Sequence, residues 1–168
     1  VDVREFTRHV DNLMFCLSKG LSCPIGSVVV GNREFIKRAR KVRKILGGGM
    51  RQAGIIAAPG IVALEKMIDR LDDDHRNARF LAEELAKVEG ININLETVQT
   101  NIIMLDVGGL GVGAEAFVNE LRKNRVLALG RGKTRGRIVT HRGIEREDAE
   151  KALTIVENSA RKAKSGKR

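Results

Sequence analysis

A lysine at the end of a short apolar segment is the first residue in this 168-residue chain that could do chemistry. Lys19 follows the apolar run 12–17 and stands between Ser18 and Gly20. Apolar and small neighbours favour the neutral lysine amine, which is the nucleophile that forms a Schiff base with a carbonyl compound. The same residues are common in surface turns, so Lys19 by itself leaves both interpretations open.

A glycine-rich segment flanked by cations is the second candidate site. The triplet 47–49 follows Lys44 and precedes Arg51. Glycines let backbone N–H groups come close to an anion, and the two cations would add charge, so a phosphate or carboxylate could bind here. The alternative is a glycine cap at the end of a helix, with solvated side chains on either side. Both interpretations fit the sequence equally well.

Arg137 is the third candidate, at the start of a short β-rich segment that ends at His141. Its planar guanidinium can form a bidentate pair with a carboxylate. A surface arginine on an edge strand is the alternative, and it is the more common situation for a residue considered in isolation.

The elements that must position these residues follow from the spacing of apolar side chains. The pattern predicts buried strands at 12–17 and 26–31 and a strongly basic amphipathic helix from Arg33 to Leu46. It then predicts one long helix, whose apolar stripe runs from Leu64 to Val88.

After Gly90 the chain alternates short β-rich runs with helices. The predicted elements are a strand at 101–106, a helix at 114–125, a strand at 137–140 and a helix at 146–163. We therefore place a domain boundary near residues 75–95, followed by a compact α+β unit.

The charge of the chain indicates an anionic partner. Lys and Arg number 31 against 21 Asp and Glu, which gives a formal net charge of +10, and the partner could be a nucleic acid or a phosphate. Phe is the only aromatic residue type and occurs five times, so base-stacking surfaces are few. No zinc-finger spacing or glycine-aromatic RNA motif occurs either, and a nucleic-acid-binding module is therefore the weaker hypothesis.

Several other classes of protein are disfavoured. Cys16 and Cys23 have no His or Cys partner at a zinc spacing, so we expect no metal site. The longest charge-free apolar segment, 52–64, is too short to cross a bilayer. The first residues carry both acid and base and show no export signal. We therefore expect a cytoplasmic protein without a membrane partner.

Taken together, several segments in fixed order resemble one family, the low-specificity L-threonine aldolases of the fold-type I pyridoxal-phosphate enzymes, within the β-eliminating lyase group. The matching segments cover nearly the whole chain and are Phe15-Cys16-Leu17-Ser18-Lys19-Gly20-Leu21 with Pro24, Gly26 and Ser27; Leu46-Gly47-Gly48-Gly49-Met50-Arg51-Gln52-Ala53-Gly54; Asp74-His75 with Asn77-Ala78; Thr100-Asn101-Ile102; and Arg137 to His141.

This resemblance implies an α/β fold class. Residues 1–85 would be the end of the large domain of a fold-type I transferase-like fold, including the long connecting helix. Residues 86–168 would form a small C-terminal α+β domain. The resemblance also implies a homodimer or homotetramer with active sites at the dimer interface.

The resemblance further implies roles for the candidate residues. Lys19 would bind pyridoxal 5′-phosphate covalently, Lys44 and Arg51 would lie near its phosphate, and Arg137 would hold the carboxylate of a small amino-acid substrate. The implied reaction is retro-aldol cleavage of threonine or allo-threonine to glycine and acetaldehyde. The base for the β-hydroxyl proton is expected outside this chain rather than among its three histidines.

The sequence begins at Val1, shortly before the lysine segment. In the family, an upstream half supplies the phosphate-binding glycine loop, the ring-stacking side chain and the carboxylate paired with the pyridine nitrogen. We therefore expect either a fragment of a longer enzyme or one of two partner chains, inactive alone. The alternatives are another pyridoxal-phosphate-dependent β-eliminating lyase, an inactive paralogue, or a basic nucleic-acid-binding module.

Overall fold

The computed structural model describes residues 2–166, and the chain divides into two compact units between Arg70 and Leu71. This division falls before the helix Leu71–Leu85, whereas the family resemblance assigns that helix to the first domain. The assignment of 1–85 and 86–168 to the two family domains stays a prediction. Within the described residues, no helix is both long enough and apolar enough to cross a membrane.

The first unit consists of a two-stranded ladder and three helices. Its elements are α1 (Val3–Thr7), β1 (Asn12–Cys16), β2 (Ser27–Gly31), α2 (Arg33–Ile45) and α3 (Gly54–Lys66). Strands β1 and β2 pair antiparallel, with Asn12 opposite Gly31 and Cys16 opposite Ser27. The loop 17–26 that carries Lys19 joins them.

The prediction that both strands are buried is wrong for this chain. None of the residues within β1 and β2 is buried by the described part of the molecule, and Met14, Val29 and Val30 are exposed. A ladder of two strands has no further strands beside it, so its apolar side chains remain accessible.

The single long helix predicted from Leu64 to Val88 is also wrong. The structure has two helices there, α3 and α4 (Leu71–Leu85), with residues 67–70 between them. The first turn of α4 contains Asp72, Asp73 and Asp74, and acidic side chains stabilise the positive end of a new helix. The apolar spacing continues across the break, which is why periodicity alone predicted one element.

The second unit is a three-stranded antiparallel sheet with helices, which confirms the predicted α+β organisation. Its remaining elements are β3 (Ile102–Asp106), α5 (Ala114–Lys123), β4 (Leu129–Arg131), β5 (Arg135–Val139) and α6 (Arg146–Ser165), with short 3-10 helices at Leu95–Thr97 and Gly108–Leu110. The strand order is β3-β5-β4, so β5 is central. Strand β4 was not predicted, because it has only three residues and its central residue is Gly130, which leaves no alternating apolar pattern.

The core of this unit lies between one face of the sheet and the helices. Its fully or nearly fully buried side chains include Leu81, Leu85, Ile103, Leu105, Phe117, Leu121, Ile138 and Val156. Along β5, Gly136 and Ile138 are buried, while Arg135 and Val139 are exposed on the opposite face and Arg137 is half-buried there.

A close approach of two glycines fixes the connection that precedes α5. A Cβ atom at Gly109 would lie 2.8 Å from the Cα atom of Gly90 and 2.9 Å from its carbonyl oxygen. Real Cβ atoms do not approach backbone so closely, so both segments would have to separate to accept a side chain. The packing at this point depends on the absence of a side chain at Gly109.

We predict that Gly109→Ser destabilises the protein by about 1–3 kcal/mol, because the added atoms force a backbone shift. Gly113→Ser is the matched control: Gly113 is the N-cap of α5, and the atom nearest to its added Cβ would be 3.6 Å away. Serine is a good N-cap, so this variant should be neutral or slightly more stable. Urea unfolding of both variants measures the difference, and equal midpoints would contradict the close approach.

Candidate active site

Lys19 lies in a loop whose path is fixed by its own backbone hydrogen bonds. The N–H of Leu17 donates to the carbonyl of Gly26 at 3.0 Å, and the N–H of Cys23 donates to the carbonyl of Leu17 at 3.1 Å. The N–H of Ser22 donates to the carbonyl of Lys19 itself at 2.9 Å. These bonds hold the backbone of Lys19 in one conformation.

The same loop is anchored on helix α3 by a small apolar cluster. Leu17, Cys23 and Ala63 are its buried members. At Gly60 of α3, an added Cβ would lie only 3.0 Å from Cδ1 of Leu17, so the missing side chain at Gly60 allows Leu17 to pack closely on the helix. The loop therefore rests on a fixed support within the first unit.

The side chain of Lys19 is exposed, and it makes no hydrogen bond or ion pair with any residue in the range 2–166. Within the described residues, the Lys19 side chain is therefore accessible to solvent and is not enclosed by apolar side chains. A primary amine on a fixed backbone with no competing partner can still form a covalent bond to an aldehyde.

The glycine triplet forms a helix cap instead of a backbone cradle for an anion. Gly47 has a φ of +89°, and its N–H donates to the carbonyl of Lys44 at 3.1 Å. The N–H of Gly48 donates to the carbonyl of Arg43 at 2.8 Å, and that of Gly49 to the carbonyl of Gly47 at 2.9 Å. This is the Schellman arrangement. Because all three N–H groups are used, the structure favours the helix cap over the anion cradle, the two interpretations that the sequence left open.

Side chains remain as the possible anion ligands in this segment. Lys44 folds back over the turn, so that its Nζ would collide with a Cβ at Gly49 and its Cδ would lie 2.7 Å from that atom. Residues 33–51 contain eight Lys and Arg and one Glu. Lys44 and Arg51 are both exposed and have no ion pair among the residues that the structure describes. The region is strongly positive, and its charge is available to a ligand.

Arg137 lies in the middle of the central strand of the second unit. It pairs with Met104 on β3 and with Leu129 on β4. Its Nε atom is buried and has no hydrogen-bond partner among residues 2–166, and leaving a buried donor unsatisfied costs about 1–3 kcal/mol. A carboxylate bound side-on to the guanidinium would accept a hydrogen bond from Nε as well as from a terminal nitrogen.

The four predicted site residues thus fall into two groups. The structure places Lys19, Lys44 and Arg51 in the first unit, on the β1–β2 loop, at the end of α2 and before α3. It places Arg137 in the second unit. Sequence reasoning gave no role to Thr140, which is buried beyond the end of β5. The alternation of Gly136 and Ile138 on the core face could have identified it as a buried polar residue.

The sequence of the chain is similar to that of several known proteins. Residues 1–108 match the family model described as beta-eliminating lyase. The chain is 39% identical to low-specificity L-threonine aldolase 1 of Arabidopsis thaliana, covering 95% of this chain and 45% of that protein. It is 41% identical to the low specificity L-threonine aldolase of Escherichia coli K12, covering 87% and 42%. The chain therefore spans less than half the length of these relatives.

Solved structures with the same fold are more distant in sequence. A putative L-allo-threonine aldolase from Listeria monocytogenes superimposes with a TM-score of 0.71 at 15% identity, covering 92% of this chain and 46% of that one. A serine palmitoyltransferase from Sphingomonas wittichii gives a TM-score of 0.76 at 20% identity, covering 93% and 41%. The fold is that of the fold-type I pyridoxal-phosphate enzymes. By the match over residues 1–108, the chain belongs to the beta-eliminating lyase family.

Proposed function

We propose that this chain is part of a pyridoxal-phosphate-dependent carbon–carbon lyase that cleaves L-threonine and L-allo-threonine to glycine and acetaldehyde. The observation that carries the proposal is the fixed loop of Lys19, whose amine is exposed and makes no hydrogen bond or ion pair within the described part of the chain. The identity of 39% and 41% to the threonine aldolases of two organisms supports the substrate class.

The residues of the first unit fit pyridoxal 5′-phosphate. Lys19 would hold the aldehyde carbon of the cofactor covalently, and the exposed cations Lys44 and Arg51 would bind its phosphate. The bound cofactor supplies an electron sink for the charge that remains on Cα after the bond to Cβ breaks. The chain contributes the covalent attachment and the positive charge that neutralises the phosphate.

Arg137 would bind the carboxylate of the amino-acid substrate. Its unsatisfied Nε donor supports this role, because a bidentate carboxylate would satisfy it. Two parallel hydrogen bonds fix the orientation of the carboxylate as well as its position, and the orientation at Cα decides which of its bonds is aligned for cleavage. Arg137 would thereby favour loss of the hydroxyalkyl group.

We also propose that the enzyme works in the cytoplasm as a homodimer or homotetramer with active sites at the dimer interface. The apolar side chains at the end of α2 and the start of α3 support association with further polypeptide surface. Ile45 is 72% exposed, Leu46 80% and Ile55 80%, and side chains of this size are normally covered in a stable assembly.

The role of Lys19 predicts the site of covalent cofactor attachment. In the full-length enzyme, borohydride reduction should trap a pyridoxyl group on Lys19, which peptide mass spectrometry would locate. Lys19→Ala should abolish the visible absorbance of the bound cofactor. Lys66→Ala, which changes an exposed lysine at the end of α3, should leave that absorbance intact. A pyridoxyl group on any other lysine would overturn the assignment.

The role of Arg137 predicts a specific kinetic cost for a charge-conserving change. Arg137→Lys keeps the positive charge and loses the bidentate geometry, so kcat/KM for threonine should fall by the equivalent of about 1.5–3 kcal/mol. Arg135→Lys is the matched control, since Arg135 lies on the same face of β5 and is exposed. Steady-state kinetics should show little change in the control, and unchanged kinetics for Arg137→Lys would place Arg137 outside the site.

Several groups needed to hold the cofactor are not supplied by this chain, so we predict that residues 1–168 alone are a poor catalyst. The chain contains no Tyr or Trp to stack on the cofactor ring, and the glycine N–H groups that could cradle its phosphate are used in a helix cap. Aldehyde release from threonine with added pyridoxal phosphate should therefore stay well below about 1 per second. Turnover at or above that rate would show that the rest of the relatives' length is dispensable.

A further inference from the structure

The strand that carries Arg137 loses one of its two neighbours immediately after that residue. Strand β4 pairs with β5 only from Arg135 to Arg137, where Leu129 is the partner of Arg137. Beyond this point β5 continues as Ile138 and Val139, paired with β3 alone. A strand end with one neighbour twists and shifts more easily than one held on both sides, so the position of Arg137 depends on what fixes the chain after Val139.

Thr140 is the residue that fixes it. Its side chain is 2% exposed, and its hydroxyl Oγ1 donates to the carbonyl oxygen of Asp74, in the first turn of α4, at 2.6 Å. The strand end is thereby bonded to a helix that packs in the core of the same unit.

Asn101, just before β3, completes the anchorage through the backbone of Thr140. The side-chain Nδ2 of Asn101 donates to the carbonyl oxygen of Thr140 at 2.7 Å. The N–H of Thr140 donates to the carbonyl oxygen of Asn101 at 3.0 Å. Hydroxyl, N–H and carbonyl of Thr140 are therefore all bonded, to Asp74 on α4 and to Asn101 just before β3.

A further hydrogen bond holds the segment after Thr140. Asn77, buried on α4, donates from Nδ2 to the carbonyl oxygen of Ile144 at 2.9 Å. Helix α4 thus binds the chain both at Thr140 and four residues later. The path of the strand end is therefore set by α4 together with Asn101.

We infer that Thr140 is a positioning residue for Arg137: its hydroxyl bond to the carbonyl of Asp74 sets the angle at which the guanidinium meets the substrate carboxylate. This inference rests on the proposed function of Arg137. A bidentate pair tolerates little displacement of either partner, so a small rotation of β5 weakens carboxylate binding without touching the cofactor attachment at Lys19.

The test uses the full-length enzyme with bound cofactor and three single variants. Thr140→Val keeps the shape of the side chain and removes the hydroxyl, whereas Thr140→Ser keeps the hydroxyl. Thr154→Val is the matched control, because Thr154 on α6 also donates its hydroxyl to a backbone carbonyl, that of Glu150, at 3.1 Å. Glycine affinity from absorbance titration and KM for threonine are the measurements.

Thr140→Val should raise the dissociation constant for glycine and the KM for threonine about fivefold or more. Thr140→Ser and Thr154→Val should stay within about twofold of the parent enzyme, and the absorbance of the bound cofactor should be unchanged in all three variants. Glycine affinity unaffected by Thr140→Val would overturn the inference. Should Thr140→Val not fold, Asn101→Ala, which removes the Nδ2–H bond to Thr140, should give the same rise in a folded enzyme, and its failure to do so would equally overturn it.

A double-mutant cycle separates positioning from general stability. If Thr140 acts through Arg137, adding Thr140→Val to Arg137→Lys should weaken glycine binding much less than Thr140→Val does alone. Full additivity would show a merely structural role and would overturn the inference. If Arg137→Lys alone leaves glycine affinity unchanged, the proposed role of Arg137 fails, and this outcome is distinct from a failure of Thr140.

Discussion

The alternation of side chains along β5 connects the core of the second unit to the proposed carboxylate site. Ile138 is buried against the helices, and the residue before it, Arg137, lies on the opposite face. Because successive residues of a strand point to opposite faces, a shift by one residue would exchange these two positions. The hydrophobic core therefore specifies the register that presents the guanidinium, and the pairing of Met104 and Leu129 with Arg137 maintains it from both sides.

In the first unit, a loop instead of a strand holds the proposed site residue, Lys19, in position. No core sheet in the described residues supports β1 and β2, so Lys19 depends on local bonds and on one apolar anchor. The hydrogen bonds between Leu17, Cys23 and Gly26 close the loop, and Leu17 fits against α3 because Gly60 has no side chain. A reactive amine on a fixed backbone needs less reorganisation on binding than one on a mobile loop, which favours covalent attachment at a defined place.

Much of the local structure could be predicted from the sequence, since strands β1, β2 and β3 and helices α2 and α6 begin and end within about two residues of their predicted bounds. The failures have physical causes. The helix break before Leu71 is set by acidic residues at the new N-terminus, which do not disturb the apolar period. The burial predicted for β1 and β2 requires neighbouring elements that residues 2–166 do not supply. The C-terminal cap at Gly47 and an anion loop share one sequence pattern, and only the hydrogen bonds separate them.

The site itself was predictable to a smaller extent. Residue type and resemblance led to the proposal of Lys19 and Arg137 as site residues, but the network around Thr140 joins residues 66 and 39 positions apart in the chain. Contacts at such separations leave no local pattern. The sequence does show that Thr140 lies two residues after Ile138 and therefore on the same, buried face of the strand. A hydroxyl on a buried face needs a hydrogen-bond acceptor.

The distribution of charge clarifies what the net charge of +10 represents. Residues 33–51 hold eight cations and one acid, so this single segment accounts for +7 of the total, and the rest of the chain is close to neutral. A nucleic acid would account for the cations of α2. It would not account for Ile45 and Leu46, which are exposed at the end of the same helix, because apolar side chains gain little from contact with phosphates. Cations without an ion pair among residues 2–166, next to large apolar side chains, fit the proposed anionic cofactor and the proposed subunit interface better, since each would cover the part of α2 that matches its chemistry.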